Sequence, residues 1–416
     1  MILVLMTALL FQNPSLDSTS PREREAALER MAVLGNREAI PALAEALKKE
    51  PRSDLRTQMV AALGRIRDRE AIPALAERLQ MDLDKDVRLQ AIGSLLRLYI
   101  PIEDAGTLRS MFNLVKSIFF VASRPVVGPE VQVDSAAKEA LTRAMQRDFN
   151  DDVRVEAVRA LGSLKAKDQV PALAQTLEDP LSREHESVRM EIVLTLGTIR
   201  DPSAGPALEK ALRDPNKRLA GEAILALGLV GYTQARATIE NRFRTDGDRR
   251  IKNRSLEALA LMRDPGSTAL FESLLGHSDA YYREMAAEGL ARLDYDAGGF
   301  KDRFTREEKQ NVRNALAFAM ASSGQDEYIN DLANALDSRQ DYQAEVYLYE
   351  LGKFDGKLNE LHRYLRSSSP VVRARMARVL GAIGDPASTE PLRTLTTDSN
   401  VEVVREAVAA LRKMNL

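Results

Sequence analysis

Residues 153–179 read VRVEAVRALGSLKAKDQVPALAQTLED, and residues 188–214 and 371–398 repeat the same layout. The second stretch is VRMEIVLTLGTIRDPSAGPALEKALRD, and the third is VVRARMARVLGAIGDPASTEPLRTLTTD. Glycines at one landmark position, such as Gly162 and Gly197, recur at intervals of 29 to 35 residues. A period of this length is typical of stacked supersecondary units that cannot bury their apolar faces alone.

Each unit contains two predicted helices. In the first quoted stretch, Val153, Ala157 and Leu161 follow helical spacing and predict the apolar stripe of an amphipathic helix A. The landmark glycine predicts the left-handed residue that ends this helix, and an Asp-Pro pair, as at 201–202, predicts the tight turn that follows. A proline such as Pro171 fits the first turn of helix B, where its missing N–H costs no hydrogen bond.

The shared consensus, roughly VRxEAxxALGxIxDPxxxPALxxALxD, resembles the short HEAT-like repeat named after the phycobilisome lyases, the PBS-lyase HEAT-like type. The resemblance extends from about residue 22 to residue 416. It implies an all-α fold, a right-handed, armadillo-like α-solenoid of about eleven or twelve short helix pairs. Helix B and the inter-repeat loops are expected to line its inner surface. The implied function is a non-catalytic scaffold or adaptor that binds another protein.

Two departures interrupt the regular repeat. An insertion at about residues 100–133, inside the third repeat, contains the apolar stretch LRSMFNLVKSIFFVA and the loop SRPVVGPEVQV. Residues 281–364 form an irregular stretch that holds 12 of the 21 aromatic residues. Residues 21–416 as a whole are predicted to form a single solenoid.

Overall composition limits the classes of function. The chain has 59 Lys and Arg against 61 Asp and Glu, so no overall basic field exists to hold a nucleic acid. Binding to a nucleic-acid backbone is therefore a second alternative that needs a local basic patch. The absence of cysteine excludes disulfides, thiolate zinc sites and cysteine nucleophiles.

The first eleven residues, MILVLMTALLF, are apolar and too short to span a bilayer as a helix. Residues 1–20 are interpreted as a signal peptide or a disordered leader. Because no basic residue precedes the run and no clean cleavage site follows it, an exported or periplasmic location and a cytoplasmic one are both open. No transmembrane span is predicted, and the oligomeric state is left open.

Two enzymes built on similar repeats supply the alternative function, an oxidoreductase or bilin-lyase-like relative or an enzyme-associated protein. Deoxyhypusine hydroxylase uses several His-Glu pairs to bind two irons, whereas only His185-Glu186 has that form here. His277 and His362 follow at steps of 92 and 85 residues, about three repeats each, which is too far to share one metal. No pigment-pocket feature of a bilin lyase is identifiable. We therefore predict no catalytic residue, metal or cofactor.

Three groups of residues are candidates for an interaction surface. The insertion is apolar, the run from Arg242 to Arg254 contains six basic residues and two acids, and the irregular stretch is rich in aromatics, which are favoured at interface hot spots. Core packing is an equally open explanation for the aromatics, and a charged inter-repeat loop explains the basic run. The candidates are Phe119, Phe120, Val126, Val127, Arg249, Arg250, Tyr282 and Tyr349.

An arginine near the start of helix A recurs at Arg88, Arg154, Arg189, Arg373 and Arg405. One interpretation is a binding ladder that faces a partner. The favoured interpretation is that each arginine pairs with the acidic loop of the preceding repeat and sets the register of the stack.

Overall fold

The computed structural model describes residues 16, 18–34, 37–100, 126–128, 131–354 and 356–414. Within these ranges the chain contains 23 α-helices and no β-strand, which confirms the all-α solenoid. Most of the leader predicted at residues 1–20 and most of the insertion predicted at residues 100–133 lie outside the described residues. The chain divides into two compact units, residues 1–230 and residues 231–416.

Unit 1, residues 1–230, contains helices α1 to α11, in which odd numbers are helix A and even numbers are helix B. Helices A follow one another in contact along the unit, and each from α3 onward packs on the helix B that precedes it. The helices are α1 (Pro21–Leu34), α2 (Ile40–Lys49), α3 (Ser53–Ile66), α4 (Ile72–Met81), α5 (Lys85–Arg97), α6 (Ser135–Arg147), α7 (Asp151–Ser163), α8 (Val170–Glu178), α9 (Glu186–Ile199), α10 (Gly205–Ala211) and α11 (Lys217–Val230).

Unit 2, residues 231–416, continues the same alternation from a helix B, α12, to a final helix A, α23. Its helices B are short, with six or seven residues in most repeats. The helices are α12 (Arg236–Thr245), α13 (Arg249–Met262), α14 (Thr268–Leu274), α15 (Ala280–Ala291), α16 (Lys301–Arg306), α17 (Gln310–Ser322), α18 (Ile329–Ala335), α19 (Asp341–Leu351), α20 (Lys357–His362), α21 (Pro370–Ile383), α22 (Thr389–Thr394) and α23 (Val401–Lys413).

The core follows the stripe predicted from the sequence. Val153, Ala157 and Leu161 of α7 are fully buried, as are the corresponding Val188, Ile192 and Leu196 of α9. Burial of a Val or Leu side chain contributes about 1.5–3 kcal/mol. The Asp-Pro turn is also confirmed, since the Asp201 carboxylate accepts the Ser203 N–H at 2.9 Å and starts a single 3₁₀ turn before α10.

The prediction for the landmark glycines was wrong. Gly64, Gly162, Gly197 and Gly381 lie inside helices A, and left-handed residues end those helices about three positions later, as at Arg67, Arg200 and Gly384. The glycines instead permit close packing between successive helices A. A Cβ atom at Gly381 would lie 2.4 Å from the Cβ atom of Ala410 on α23, which is closer than van der Waals contact allows.

Candidate functional site

The loops that join helix B to the next helix A are held by a repeated ion pair, which we term the arginine ladder. An arginine near the start of helix A donates to the carboxylate at the C-terminal end of helix B of the same repeat. The pairs are Arg24–Glu50, Arg56–Asp82, Arg88–Asp148 and Arg189–Asp214 in unit 1, and Arg283–Glu307 and Arg373–Asp398 in unit 2.

Arg88 shows the geometry in full. Its Nε and Nη2 atoms donate to Asp148 at 2.7 and 3.0 Å, and its Nη1 atom donates to the carbonyl oxygens of Asp82 and Leu83 at 2.9 and 3.1 Å. Asp148 also accepts the N–H of Asn150 at 2.9 Å. The predicted partner, an acid of the preceding repeat, was therefore wrong, because that repeat contributes main-chain carbonyls and the carboxylate belongs to the same repeat.

The other predicted arginines fit the ladder to different degrees. Arg189 and Arg373 are members, whereas Arg154 is buried and donates to the Met145 carbonyl at 2.9 Å. Arg405 is exposed and lies near acids of its own helix. In the last pair, the hydrogen bond from Arg373 lowers the pKa of Asp398, so this carboxylate stays ionised over the neutral range. The ladder fixes the backbone of the loops. Because its arginines and carboxylates pair with one another, few of these charges are available to a binding partner.

Apolar side chains project from these fixed loops along one edge of unit 1. In each loop, the residue directly after the acid that ends helix B is apolar and exposed. In the loop before α9, the next residue, Leu181, is apolar and exposed as well. Leu83, Phe149 and Leu181 are 90%, 80% and 80% exposed. We term this set the apolar row; its members are Pro51, Leu83, Phe149, Pro180, Leu181 and Pro215.

The corresponding positions in the described loops of unit 2 are not apolar. In each of these loops, one side chain accepts the backbone N–H of the residue two positions later, and the equivalent of the apolar residue lies between the two. These intervening residues are Gly247, Ser278, Glu308, Arg339, Ser368 and Ser399. The apolar row is thus a property of unit 1 rather than of the repeat. Sequence reasoning missed it, although the pairs Asp82-Leu83 and Asp148-Phe149, each followed by an Asp or Asn, are visible as a pattern.

Contacts between the starts of α5, α7 and α9 show that the loops carrying Leu83, Phe149 and Leu181 lie side by side. Lys85 Nζ lies 3.5 Å from Asp152 Oδ2, and His185 Nδ1 lies 2.8 Å from Asp151 Oδ1. Phe149 is held over the ladder itself, with its ring centroid 4.3 Å from the guanidinium carbon of Arg88. The ring therefore has a defined position while most of its surface stays in contact with solvent.

The apolar candidates in the insertion are only partly described. Phe119 and Phe120 lie outside the described residues. Val126 is 38% exposed, but Val127 is 9% exposed and its N–H donates to the Ser163 carbonyl at 2.9 Å. The prediction of Val127 as a surface residue is therefore corrected, because its side chain packs inward and its backbone is tied to the end of α7.

The basic candidates lie at the same end of unit 2 as Tyr282. Arg249 Nη2 donates to Asp279 Oδ2 at 2.8 Å, and Arg250 is exposed on the first turn of α13. Of the six basic residues from Arg242 to Arg254, four make ion pairs with nearby acids. These pairs neutralise most of the run and weaken the case for a nucleic-acid surface.

The two candidate tyrosines are not brought together. The half-buried Tyr282 ring contacts Phe243 edge-on at 5.4 Å between centroids and His277 at 4.8 Å. Burial, and then the Asp279 carboxylate, raises the pKa of the Tyr282 phenol. Tyr349 is half-exposed on α19, where its ring lies 4.0 Å from the ammonium nitrogen of Lys353.

A buried polar cluster joins α15, α17 and α19 in unit 2. The Arg292 guanidinium donates to Glu350 at 2.9 and 2.7 Å and to Glu288 at 2.9 Å, and its side chain is 1% exposed. The Tyr347 hydroxyl donates to Glu288 at 2.5 Å, and its ring stacks on Phe318 with centroids 4.6 Å apart. Several of the aromatics in residues 281–364 are therefore part of the core.

Glu284 extends this cluster toward the surface. Its carboxylate accepts hydrogen bonds from the Gln343 amide, at 2.7 Å, and from the Asn311 amide. Burial and then the charge of Glu288 raise the pKa of Glu284 to about 7. This arrangement ties the three helices α15, α17 and α19 together.

The described residues contain no group of three or more His, Asp and Glu side chains placed to hold a metal ion. The three histidines have separate partners: His185 contacts Asp151, His277 contacts Tyr282, and His362 Nε2 lies 3.0 Å from Ser388 Oγ. None of the helices in the described ranges has the length and apolar character needed to cross a bilayer.

A sequence model of HEAT repeats matches residues 14–96, 138–228, 205–291 and 329–412, which together cover most of the chain. The chain belongs to the HEAT repeat family. The helix pairs described above are therefore HEAT repeats, and in this chain the arginine ladder holds the loops between them. No curated protein sequence matches the chain significantly.

Several solved structures resemble the chain at low identity. An engineered protein is 19% identical with a TM-score of 0.38, covering 91% of this chain and 99% of its own. Human deoxyhypusine hydroxylase in complex with glycerol is 22% identical with a TM-score of 0.29, covering 61% of this chain and 99% of its own. The CpcE–CpcF complex of phycocyanin lyase from Nostoc sp. PCC7120 is 19% identical with a TM-score of 0.38, covering 62% and 92%.

Proposed function

We propose that this HEAT repeat chain is a non-catalytic scaffold that binds another protein along the apolar row of unit 1. The observation that supports the proposal most strongly is the exposure of Leu83, Phe149 and Leu181 on consecutive loops. Large apolar side chains left in water on neighbouring loops mark an interaction site better than isolated ones do. The assignment of the repeats to the PBS-lyase type is part of the same proposal and rests on the consensus alone.

The rigidity of the loops supports this proposal. Ladder hydrogen bonds fix the backbone beside Leu83 and Phe149, so binding would order few additional groups. A surface that is already ordered loses less conformational entropy when a partner binds. Phe149, which is aromatic and positioned by Arg88, is the best placed residue to act as a hot spot.

The test compares the proteins captured by the full chain and by the variant L83S/F149S/L181S. Because each truncated hot spot costs about 1 kcal/mol or more, partners of the row should be depleted at least about tenfold by the triple variant. The matched control is V401S, since Val401 is 83% exposed but lies in unit 2. Quantitative mass spectrometry of the captured proteins gives the readout, and circular dichroism confirms that both variants are folded.

Two results would contradict the proposed function. One is an identical set of captured proteins for the wild type and the triple variant. The other is an equal depletion by V401S, which would show that any exposed apolar residue produces the same nonspecific capture.

A further inference from the structure

Unit 2 contains a contact between two helices A that are not neighbours in the stack, and one end of this contact depends on a carboxyl group. We propose that Glu284 is the proton sensor of a hinge in unit 2. When its carboxyl ionises, the N-terminal half of α19 separates from α15 while the C-terminal half stays in place. The proposal concerns unit 2 and does not depend on the function proposed for unit 1.

The contact between α15 and α19 passes over α17, which lies between them in the stack. Three pairs of side chains, each 58 or 59 residues apart in the sequence, join the two helices directly. They are Gln343 with Glu284 at 2.7 Å, Tyr347 with Glu288 at 2.5 Å, and Arg292 with Glu350 at 2.9 and 2.7 Å. Because Gln343 lies in the first turn of α19 and Glu350 in its last, both ends of this helix are tied to α15.

The two ends of the contact differ in charge. At the C-terminal end of α19, the Arg292 guanidinium pairs with the carboxylates of both Glu288 and Glu350. At the N-terminal end, Glu284 accepts hydrogen bonds from two side-chain amides, and no Lys or Arg in the part of the chain that the structure describes is in ion-pair contact with it. An ionised Glu284 is therefore an unpaired charge in a half-buried position.

The other charged groups around Glu284 already have partners. On α13, α15 and α19 the pairs are Glu257 with Arg254, Arg283 with Glu307, Asp341 with Arg375 and Glu345 with Arg378. The remaining hydroxyl and carboxyl groups are Tyr281, which donates to Glu257, and Glu272 of α14, which accepts from Tyr295. Burial and then the charge of Glu288 raise the pKa of Glu284 to about 7, so its charge changes in the neutral range.

The loop before α19 lacks the restraint that would hold this end of the helix. In the arginine ladder, a carboxylate fixes the loop before the next helix A, as it does before α17. Ser338 occupies that position before α19, and its hydroxyl accepts a loop N–H at 3.1 Å. Arg313, the arginine of this rung, lies 4.8 Å from the Phe304 ring centroid, and its Nε atom has no hydrogen-bond partner among the described residues. The N-terminal half of α19 is thus where water can reach the ionised carboxyl.

Native-state hydrogen exchange of the full chain tests the hinge. The amides of residues 344–347 bond to the carbonyls of residues 340–343, so they exchange when the N-terminal half of α19 opens. After correction for the intrinsic exchange rate, their opening should increase about tenfold from about pH 6 to about pH 8. This factor follows because the closed carboxyl titrates near 7 and the open one near its ordinary value. The amides of α15 and α17 should keep their protection.

Three variants separate the causes. E284Q does not titrate and should abolish the pH dependence of these amides, whereas the matched control E308Q removes an exposed carboxyl and should retain it. S338D supplies a carboxylate at the missing rung. It should reduce the opening about three- to fivefold at both pH values, the effect of a partly exposed ion pair.

Four outcomes would overturn the proposal. The first is an opening of residues 344–347 that does not depend on pH in the wild type. The second is an equal pH dependence in every helix of unit 2, which would mean that only global unfolding responds to the proton. The third is a pH dependence that E284Q retains, and the fourth is an opening that S338D leaves unchanged, which would remove the loop before α19 as the hinge.

Discussion

Replacing Arg292 by Met is expected to destabilise unit 2 by about 3–5 kcal/mol, the usual cost of removing one partner from a buried ion pair. Arg292 neutralises two carboxylates at once, Glu288 and Glu350. Glu288 is 1% exposed, so its charge cannot be hydrated when the guanidinium is gone. Unfolding is measured by urea titration with tyrosine fluorescence, which reports unit 2 because nine of the ten tyrosines follow residue 230 and the chain has no tryptophan.

Two further variants test this reasoning. R306M is the matched control, since Arg306 is 83% exposed and its nearest acid, Asp302, lies 3.9 Å away. Its effect should stay within about 0.5 kcal/mol. The triple variant R292M/E288Q/E350Q should recover part of the stability lost by R292M, because it removes the uncompensated charges. A loss below about 1 kcal/mol for R292M would mean that solvent reaches the two carboxylates.

Unit 2 is expected to lose stability as the pH rises from about 4.5 to 7. In the folded state, burial and Glu288 raise the pKa of Glu284 to about 7, whereas the unfolded carboxyl titrates near its ordinary value. Between these two values the folded protein binds more protons than the unfolded chain, so its free energy of unfolding falls with rising pH and levels off above 7. The full change from this group is about 3 kcal/mol.

The control for this pH dependence is E284Q. Glutamine resembles the protonated carboxyl and does not titrate, so the variant should be more stable than the wild type above pH 7 and similar to it near pH 4.5. Urea titrations at a series of pH values give the difference between the two proteins. That difference isolates Glu284 from Glu288, whose pKa burial also raises. A difference that does not change with pH would show that folding leaves the pKa of Glu284 unchanged.

The periodic features of the fold could be predicted from the sequence. Buried positions such as Val153 and Leu161 recur in most repeats, so their spacing alone defines helix A. The landmark glycines were placed correctly in the repeat but given the wrong role. A glycine near the end of a helix suits a left-handed cap and a close helix contact equally, and only the position of the next helix distinguishes them.

The candidate site depends on features that do not recur at a regular spacing along the sequence. Tyr347 contacts Glu288, 59 residues away, and no spacing rule pairs those two residues. The exposed Phe149 is one apolar residue in a polar loop, which sequence patterns treat as ordinary. It became a candidate because neighbouring loops carry Leu83 at the equivalent position and Leu181 one residue further on, both exposed.

Photo-crosslinking from position 149 tests the scaffold proposal most directly. A photoreactive phenylalanine analogue replaces Phe149 in one protein and Glu308 in another, since Glu308 is the equivalent loop residue of unit 2. We predict a discrete covalent adduct with a partner protein from position 149 and none from position 308. Adducts of equal yield from both positions, or none from position 149 under conditions in which the wild type captures its partners, would contradict a binding surface on the apolar row.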